Sequence, residues 1–408
     1  MTHYKYLIIG AGMTADAAVK GIRELDPNGS IALIGNDPNP PYDRPLLSKG
    51  LWKGKPLDSI WRKTEEHKAD LLLGRTAISI DPQKKQVQDD HQQGYTYQKL
   101  LLATGGTPSK LPFGGENIIY YRTLEDYQRL RGMCGQDQHF GVIGGGFIGS
   151  EIAAALTMNG EKVSMLFPEE GIGARVYPRE LSQYLNDFFR TKGVELLPDT
   201  NVKNLEKSSG SYLLVTDEGH QVPVDVVIAG IGILPNVELA QSAGLKIGNG
   251  IIVDEMLRTN EPEIYAAGDV AEFNQPVLGK RMRVEHEDNA NAMGKQAGRN
   301  MAGAGEPYHH LSFFYSDLFE LGYEAVGELD PQLETFADWE EPFKKGVIYY
   351  LAEGRVRGVL LWNVWDTVTA ARLLIAEPGP FTPADLKNRL CGSKHSVPVK
   401  DQTIVMDR

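Results

Sequence analysis

Two glycine-rich loops, each set between an apolar run and a helical stretch, constrain the fold of this chain more than any other feature. Tyr6-Leu7-Ile8-Ile9 reads as a buried strand and Gly10-Ala11-Gly12-Met13-Thr14-Ala15 as a tight turn. Ala15 to Leu25 then reads as a helix ended by Asp26-Pro27-Asn28-Gly29, with Ile31 to Ile34 as the next strand. The same order returns downstream. His139 to Ile143 is a strand, Gly144-Gly145-Gly146-Phe147-Ile148-Gly149 a turn, Ser150 to Met158 a helix closed by Asn159-Gly160, and Val163 to Phe167 a strand. A strand–turn–helix–strand unit repeated at this separation implies two wound α/β domains rather than a short-period solenoid.

Each position of the two loops has a physical task. Gly10 and Gly144 permit the turn. Gly12 and Gly146 let backbone approach a diphosphate with no Cβ in the way, and Ala15 and Gly149 let helix and strand pack closely. The helix N-terminus adds free N–H groups and the positive end of its dipole. Two loops imply two bound dinucleotides. Glu169, about 20 residues after the second loop, is placed to accept from both ribose hydroxyls of one of them and to repel a 2′-phosphate, which favours NADH over NADPH. Arg175 nearby would weaken that discrimination. Leu100-Leu101-Leu102-Ala103-Thr104-Gly105-Gly106 and Glu263-Ile264-Tyr265-Ala266-Ala267-Gly268-Asp269 read as buried strands ending in small-residue turns. The second turn offers Asp269 to a ribityl hydroxyl.

Composition narrows the class. The chain has 408 residues and a formal net charge of −12, which disfavours nucleic acid and anionic lipid as partners. Its two cysteines, Cys134 and Cys391, exclude a disulfide scaffold, a paired-cysteine redox motif and a cysteine-based zinc site. No metal site is expected. No apolar run approaches the ~18 residues of a membrane span, and the apolar stretch near Met1 is too short for a signal-peptide core. A cytoplasmic setting is expected.

Pro/Gly-rich joints near Thr107–Gly115 and Gly230–Asn236 mark crossovers between domains. After about Pro307 the texture changes. Gly346–Leu351 and Arg355–Trp362 read as a hairpin around Glu353-Gly354, followed by a helix from Thr367 to Ala376 and a polar tail. Phe313, Phe314, Trp362 and Trp365 read mainly as core.

At PYDRPLLSKGLW (41–52), ATGGTP (103–108), GGGFIGSE (144–151), LFPEEG (166–171), GILPNVELA (232–240), VEHEDNA (284–290), SDLFELGYEAVG (316–327) and GVLLWN (358–363), the chain resembles the two-dinucleotide flavoprotein oxidoreductases. Within them it is similar to the apoptosis-inducing-factor and ferredoxin-reductase groups. The resemblance implies an α/β fold of two Rossmann-like domains plus a C-terminal α+β domain. The FAD domain would occupy 1–113 and 235–306, the inserted NADH domain 114–234, and the third domain 307–408.

Residue by residue, the resemblance implies that Asn36, Asp37, Arg44, Lys49, Ala77, Thr104, Gly105, Arg122, Asp269, Glu285, His286 and Tyr315 serve FAD. Phe147, Ile148, Glu151, Glu169, Arg175, Gly232, Glu324 and Asn363 would serve NADH. Phe147 would stack by the nicotinamide, and Lys49 and Glu151 would pair near the reactive flavin nitrogen, so that Lys49, Glu151, Phe147 and His286 form the reacting centre. A lysine there favours electron density gained on reduction, and the glutamate keeps it charged and aimed. Asn36 stands where many members carry glutamate, and Tyr315 where apoptosis-inducing factor has tryptophan.

The function implied is hydride transfer from NADH to FAD, then electron transfer to a ferredoxin, rubredoxin or quinone. Lys280, Arg281 and Arg283 form a basic run that would dock an acidic carrier, unless it is an ordinary solvated strand edge. The alternative is a slow NADH-responsive switch with a stable charge-transfer complex and dimerisation. A thiol mechanism is not expected, because Lys49 follows the Leu47-Ser48 pair where thiol-dependent relatives carry cysteine.

Overall fold

The computed structural model describes residues 1–208 and 210–390; Cys391 and the polar tail lie outside the described residues. The first loop joins the strand Thr2–Ile9 to the helix Met13–Leu25, and the second joins His139–Ile143 to Phe147–Met158. Both helices begin earlier than the apolar pattern implies. The reason is that the residues after Gly12 and Gly146 already form the first helical turn, with each glycine as the extended N-cap residue.

In the first sheet the parallel strands run Asp70–Leu73, Ile31–Gly35, Thr2–Ile9 and Gly94–Leu102. The last of these is shared. Its start pairs antiparallel with Gln86–Asp89, and its end pairs in parallel with Ile264–Ala266. Strand Ile264–Ala266 therefore returns the chain to the first sheet after a long excursion, and it delivers Asp269 beside the first loop.

The excursion builds a second, fully parallel sheet ordered Glu195–Leu197, Lys162–Leu166, His139–Ile143, Val226–Ala229 and Ile118–Tyr120. Val202–Ser208, Ser211–Thr216 and Gln221–Val224 form a separate antiparallel sheet. The way out and the way back meet in one ribbon, Gly106–Pro108 against Ile233–Pro235. A side-chain clasp locks it: the Thr104 hydroxyl donates to the Asn236 carbonyl, and the Asn236 amide donates to the Thr104 carbonyl, both at 2.8 Å.

The C-terminal sheet is antiparallel, ordered Phe313–Leu318, Leu321–Gly327, Arg355–Trp362, Lys345–Ala352 and Glu334–Glu341. The expected hairpin and helix are present, the latter as Val368–Ala376. Strand alternation divides this sheet's side chains between two cores. Tyr323, Ile348, Leu360 and Trp362 pack with Phe140, Ile152 and Phe189 of the second unit. Val326, Val347 and Leu361 pack under Ala371, Leu374 and Ile375. The sheet is thus seated on the second nucleotide unit by its own apolar face.

Candidate active site

A cavity of about 900 Å³ runs between the two glycine loops and is closed on one side by the C-terminal sheet. From the first unit it is lined by Gly12, Arg44, Lys49, Gly105, Asp269, Glu285 and His286; from the second by Arg122, Gly144, Gly146, Phe147, Ile148, Glu151, Glu169, Arg175 and Gly232; from the third by Tyr315. Gly10, Ala15 and Gly149 lie behind this lining. Gly10 has φ +117°, and a Cβ there would fall 2.1 Å from the Ala103 carbonyl oxygen; Gly144 repeats this at φ +114°, 2.4 Å from the Gly230 oxygen. Only glycine meets both demands.

The first end of the cavity is built for a diphosphate. The helix Met13–Leu25 starts with no side-chain cap, so its first N–H groups are open. Arg44 lies over Gly12, with Nη1 at 3.3 Å from where a Gly12 Cβ would be. Its Nε is buried with no partner. A buried guanidinium nitrogen left unsatisfied at an open helix N-terminus asks for an anion. Arg122, whose pKa burial and then nearby Arg44 pull down, adds a second cation and donates to Asp269 at 3.1 Å. These residues fit FAD. Asn36, Asp37, Ala77 and Thr104 fall outside the cavity lining. Asp37 accepts from Asn39 and Tyr42, and Ala77 is buried in the first sheet.

In the middle, Lys49 Nζ is 2.8 Å from each carboxylate oxygen of Glu151. The pair is nearly enclosed, with side-chain exposures of 11% and 2%. The Lys49 ammonium also stands 5.1 Å from the centre of the Tyr315 ring. The Tyr315 hydroxyl donates to Glu287 at 2.9 Å, and burial followed by Glu287 raises its pKa. His286 is half-buried, with Nδ1 enclosed and unpartnered, and desolvation lowers its pKa from 6.5 to about 4. It is therefore a neutral imidazole at pH 7. Its ring packs 4.3 Å from that of Phe314, which in turn lies 5.2 Å from Phe147.

At the far end Gly146 has open space where its Cβ would be, and the helix Phe147–Met158 also starts without a side-chain cap. Glu169 lies at this end, ion-paired with Arg175. The two nucleotide cradles therefore open into one space, with a lysine–carboxylate pair between them.

Residues 4–294 match the family described as pyridine nucleotide-disulphide oxidoreductase. The chain belongs to that family. Residues 297–342 and 337–377 match the C-terminal domain described for mitochondrion-associated apoptosis-inducing factor. The chain is 34% identical to mitochondrial apoptosis-inducing factor 1 of Dictyostelium discoideum, over 91% of this chain and 78% of that protein. It is 31% identical to the ferredoxin–NAD(+) reductase component of the 3-phenylpropionate/cinnamic acid dioxygenase of Photorhabdus laumondii, over 93% of this chain and 98% of that protein. Among solved structures it is similar to the covalent putidaredoxin reductase–putidaredoxin complex, with TM-score 0.88, 29% identity, and coverage of 94% and 95% of the two chains. The chain is a flavin-dependent NAD(P)H oxidoreductase that uses FAD and NAD(H).

As a pyridine nucleotide-disulphide oxidoreductase the chain departs from its sequence reading at several points. Glu324 and Asn363 do not line the cavity. Asn363 spends its side chain on the Gly322 N–H and the Lys344 carbonyl, holding a turn, and Glu324 is a half-buried carboxylate with its pKa raised by burial. Phe313 and Phe314 line the cavity, whereas Trp362 is core and Trp365 is half exposed. The basic run is not a free patch: Lys280 pairs with Glu328, Arg281 with Glu272 and Arg283 with Glu285. Ser48 and Ser316, which both donate to Glu151, went unread because a lone serine in a loop or strand carries no pattern. Among the described residues no cluster of three or more metal-ligating side chains is present, and no helix is long and apolar enough to cross a membrane.

Proposed function

We propose that this oxidoreductase takes hydride from NADH onto FAD and passes the electrons to a carrier of the ferredoxin or rubredoxin class. The observation that carries the reading is the Lys49–Glu151 pair, located where both nucleotide cradles share one cavity. Bound FAD supplies the redox chemistry, accepting two electrons together and releasing them singly.

The chain's residues do the rest. Gly10, Gly12 and Ala15 with Arg44 hold one diphosphate, Arg122 and Asp269 the adjoining polyol, and Gly144, Gly146 and Gly149 the second diphosphate. Glu169 holds the adenosine ribose of NADH. Phe147 and Ile148 set the depth of the nicotinamide, which must reach about 3–3.5 Å from its acceptor. Glu151 keeps Lys49 charged and aimed. His286, neutral, adds no positive charge of its own. The domain limits we assign are 1–113 with 235–306 for FAD, 114–234 for NADH, and 307–408 for the third domain. We place the protein in the cytoplasm; among the described residues Cys134 forms no disulfide, and burial pushes its pKa up to about 11.

The test is anaerobic titration of the purified protein with NADH, followed by addition of a ferredoxin, a rubredoxin or a quinone. The yellow absorbance is expected to bleach with one equivalent of NADH and to return on adding an iron–sulfur carrier. A colourless protein that cannot be reconstituted with FAD, or a reduced flavin that no carrier reoxidises, overturns the reading. The C-terminal match to apoptosis-inducing factor keeps the second reading open: a slow NADH-responsive switch that forms a homodimer. Its signature is a long-lived charge-transfer band with a shift in sedimentation, and rapid reoxidation without that shift removes it.

A further inference from the structure

Glu151 is only 3% exposed, and its carboxylate has every oxygen engaged by donors from other parts of the chain. Ser48 donates to Oε2 at 2.5 Å and Ser316 donates to Oε1 at 2.5 Å, while Lys49 reaches each oxygen at 2.8 Å. The contributors come from three places. Ser48 and Lys49 follow the short turn Arg44–Leu47 of the first unit, Glu151 lies in the helix Phe147–Met158 of the second, and Ser316 is on the first strand of the C-terminal sheet.

We infer that Ser316 and Ser48 are positioning residues, which clamp the Glu151 carboxylate from opposite sides and so hold Lys49 at a fixed reach into the cavity. A carboxylate offers about four lone-pair sites, and four contacts fill them here. Charge-assisted hydroxyl bonds draw off part of its negative charge. Lys49 is then oriented by Glu151 without being its sole partner. Removing one hydroxyl leaves the ammonium as the main donor, drawn closer to the carboxylate and more fully neutralised. The positive charge offered to the cavity falls. Ser316 thereby ties that charge to the seating of the C-terminal sheet, which no residue of the nucleotide-binding units reports by itself. The inference rests on the proposed FAD site.

The test compares the holoproteins of wild type, Ser316→Ala, Ser316→Thr and Ser48→Ala. FAD content, melting temperature, flavin midpoint potential and single-turnover reduction by NADH are measured across pH. Ser316→Ala is expected to keep its FAD but to shift the oxidised-to-reduced ratio about tenfold toward oxidised at a given potential, about 30 mV for a two-electron couple. Flavin reduction slows about tenfold while the NADH concentration for half-maximal rate changes less than twofold. Ser48→Ala moves the same readings in the same direction, and Ser316→Thr restores them. FAD-loaded Ser316→Ala and Ser48→Ala with wild-type potential and rate overturn the inference, even if their melting temperatures fall. If Ser316→Ala does not fold, Ser48→Ala decides by the same readings. A wild-type protein that NADH does not reduce overturns the proposed function first, and the inference with it.

Discussion

Arg175 is ion-paired with Glu169 at 2.6 Å, yet Arg175 is 83% exposed and Glu169 only 24%. The carboxylate expected to hold the adenosine ribose is therefore already engaged, by a cation that would welcome a 2′-phosphate. An ion pair exposed this much contributes roughly 0–1 kcal/mol, so a ribose diol displaces it easily. Arg175→Ala is expected to change kcat/KM for NADH less than threefold and to lower it for NADPH about tenfold. Glu169→Gln is expected to narrow the NADH preference about tenfold. Steady-state kinetics with both coenzymes check this, and an unchanged ratio in both variants removes Glu169 and Arg175 from coenzyme choice.

The Lys49–Glu151 pair is enclosed, so breaking it is costly in a way a surface pair is not. Removing one partner of such a pair destabilises by about 3 kcal/mol, because the other is left buried and charged. Lys49→Ala is expected to show that loss in urea unfolding, reduced by whatever Ser48 and Ser316 still supply to Glu151. Glu151→Gln keeps shape and loses charge. Its stability is expected to stay closer to wild type, while flavin reduction by NADH slows tenfold or more, a barrier change of about 1.4 kcal/mol or greater.

His286 sets an acid limit. Its pKa falls from 6.5 to about 4 on folding, so the unfolded chain binds the extra proton. The contribution of the neutral ring to stability is intact above pH 6.5. It is lost progressively as pH falls toward 4. His286→Gln is expected to unfold with a shallower acid dependence than wild type between pH 6.5 and 4. Parallel curves for the two proteins would show that the ring is protonated in the folded state.

Since Lys280 and Arg281 are already matched to Glu328 and Glu272, removing each cation together with its carboxylate leaves the net charge of the surface unchanged. The charge-balanced variant Lys280→Gln, Glu328→Gln, Arg281→Gln, Glu272→Gln is expected to change the KM for an iron–sulfur carrier less than twofold and to leave the salt dependence of turnover unaltered. A tenfold rise in KM with a flattened salt dependence would restore these residues as a docking patch.

How much of this was legible beforehand follows from where each signal resides. The glycine loops are local, since turn, helix start and strand all fall within a few residues, and they came through nearly to the residue. The hairpin around Glu353-Gly354 was legible for the same reason. Lys49 and Glu151 are about a hundred positions apart, and only the resemblance joined them. Ser48 and Ser316 are ordinary in sequence and gain their meaning from a carboxylate brought to them by packing. Asn363 went the other way: a side chain expected to face NADH satisfies a turn, because its own residue has φ +49° and the neighbouring backbone groups of Gly322 and Lys344 need partners. The pairing of the basic run with Glu272, Glu285 and Glu328 was not legible, because a cation and a carboxylate, whether two, nine or forty-eight residues apart, meet only once the strands are folded.

The ribbon of Gly106–Pro108 against Ile233–Pro235 has one more consequence. Pro108 and Ile233 are directly paired, so the whole second nucleotide unit leaves and re-enters through a gap that a short turn can span. By chain connectivity it is a cassette, but by packing it is not: Tyr42, Leu47 and Trp52 of the first unit and Tyr323 and Trp362 of the C-terminal sheet share its core, and the Tyr121 hydroxyl donates to the Leu47 carbonyl. A chain with 109–232 replaced by a brief glycine-containing turn is therefore expected to aggregate and to lose its yellow colour, because Arg122 is gone and the apolar face of Tyr323, Ile348, Leu360 and Trp362 is bared, as judged by light scattering and visible absorbance.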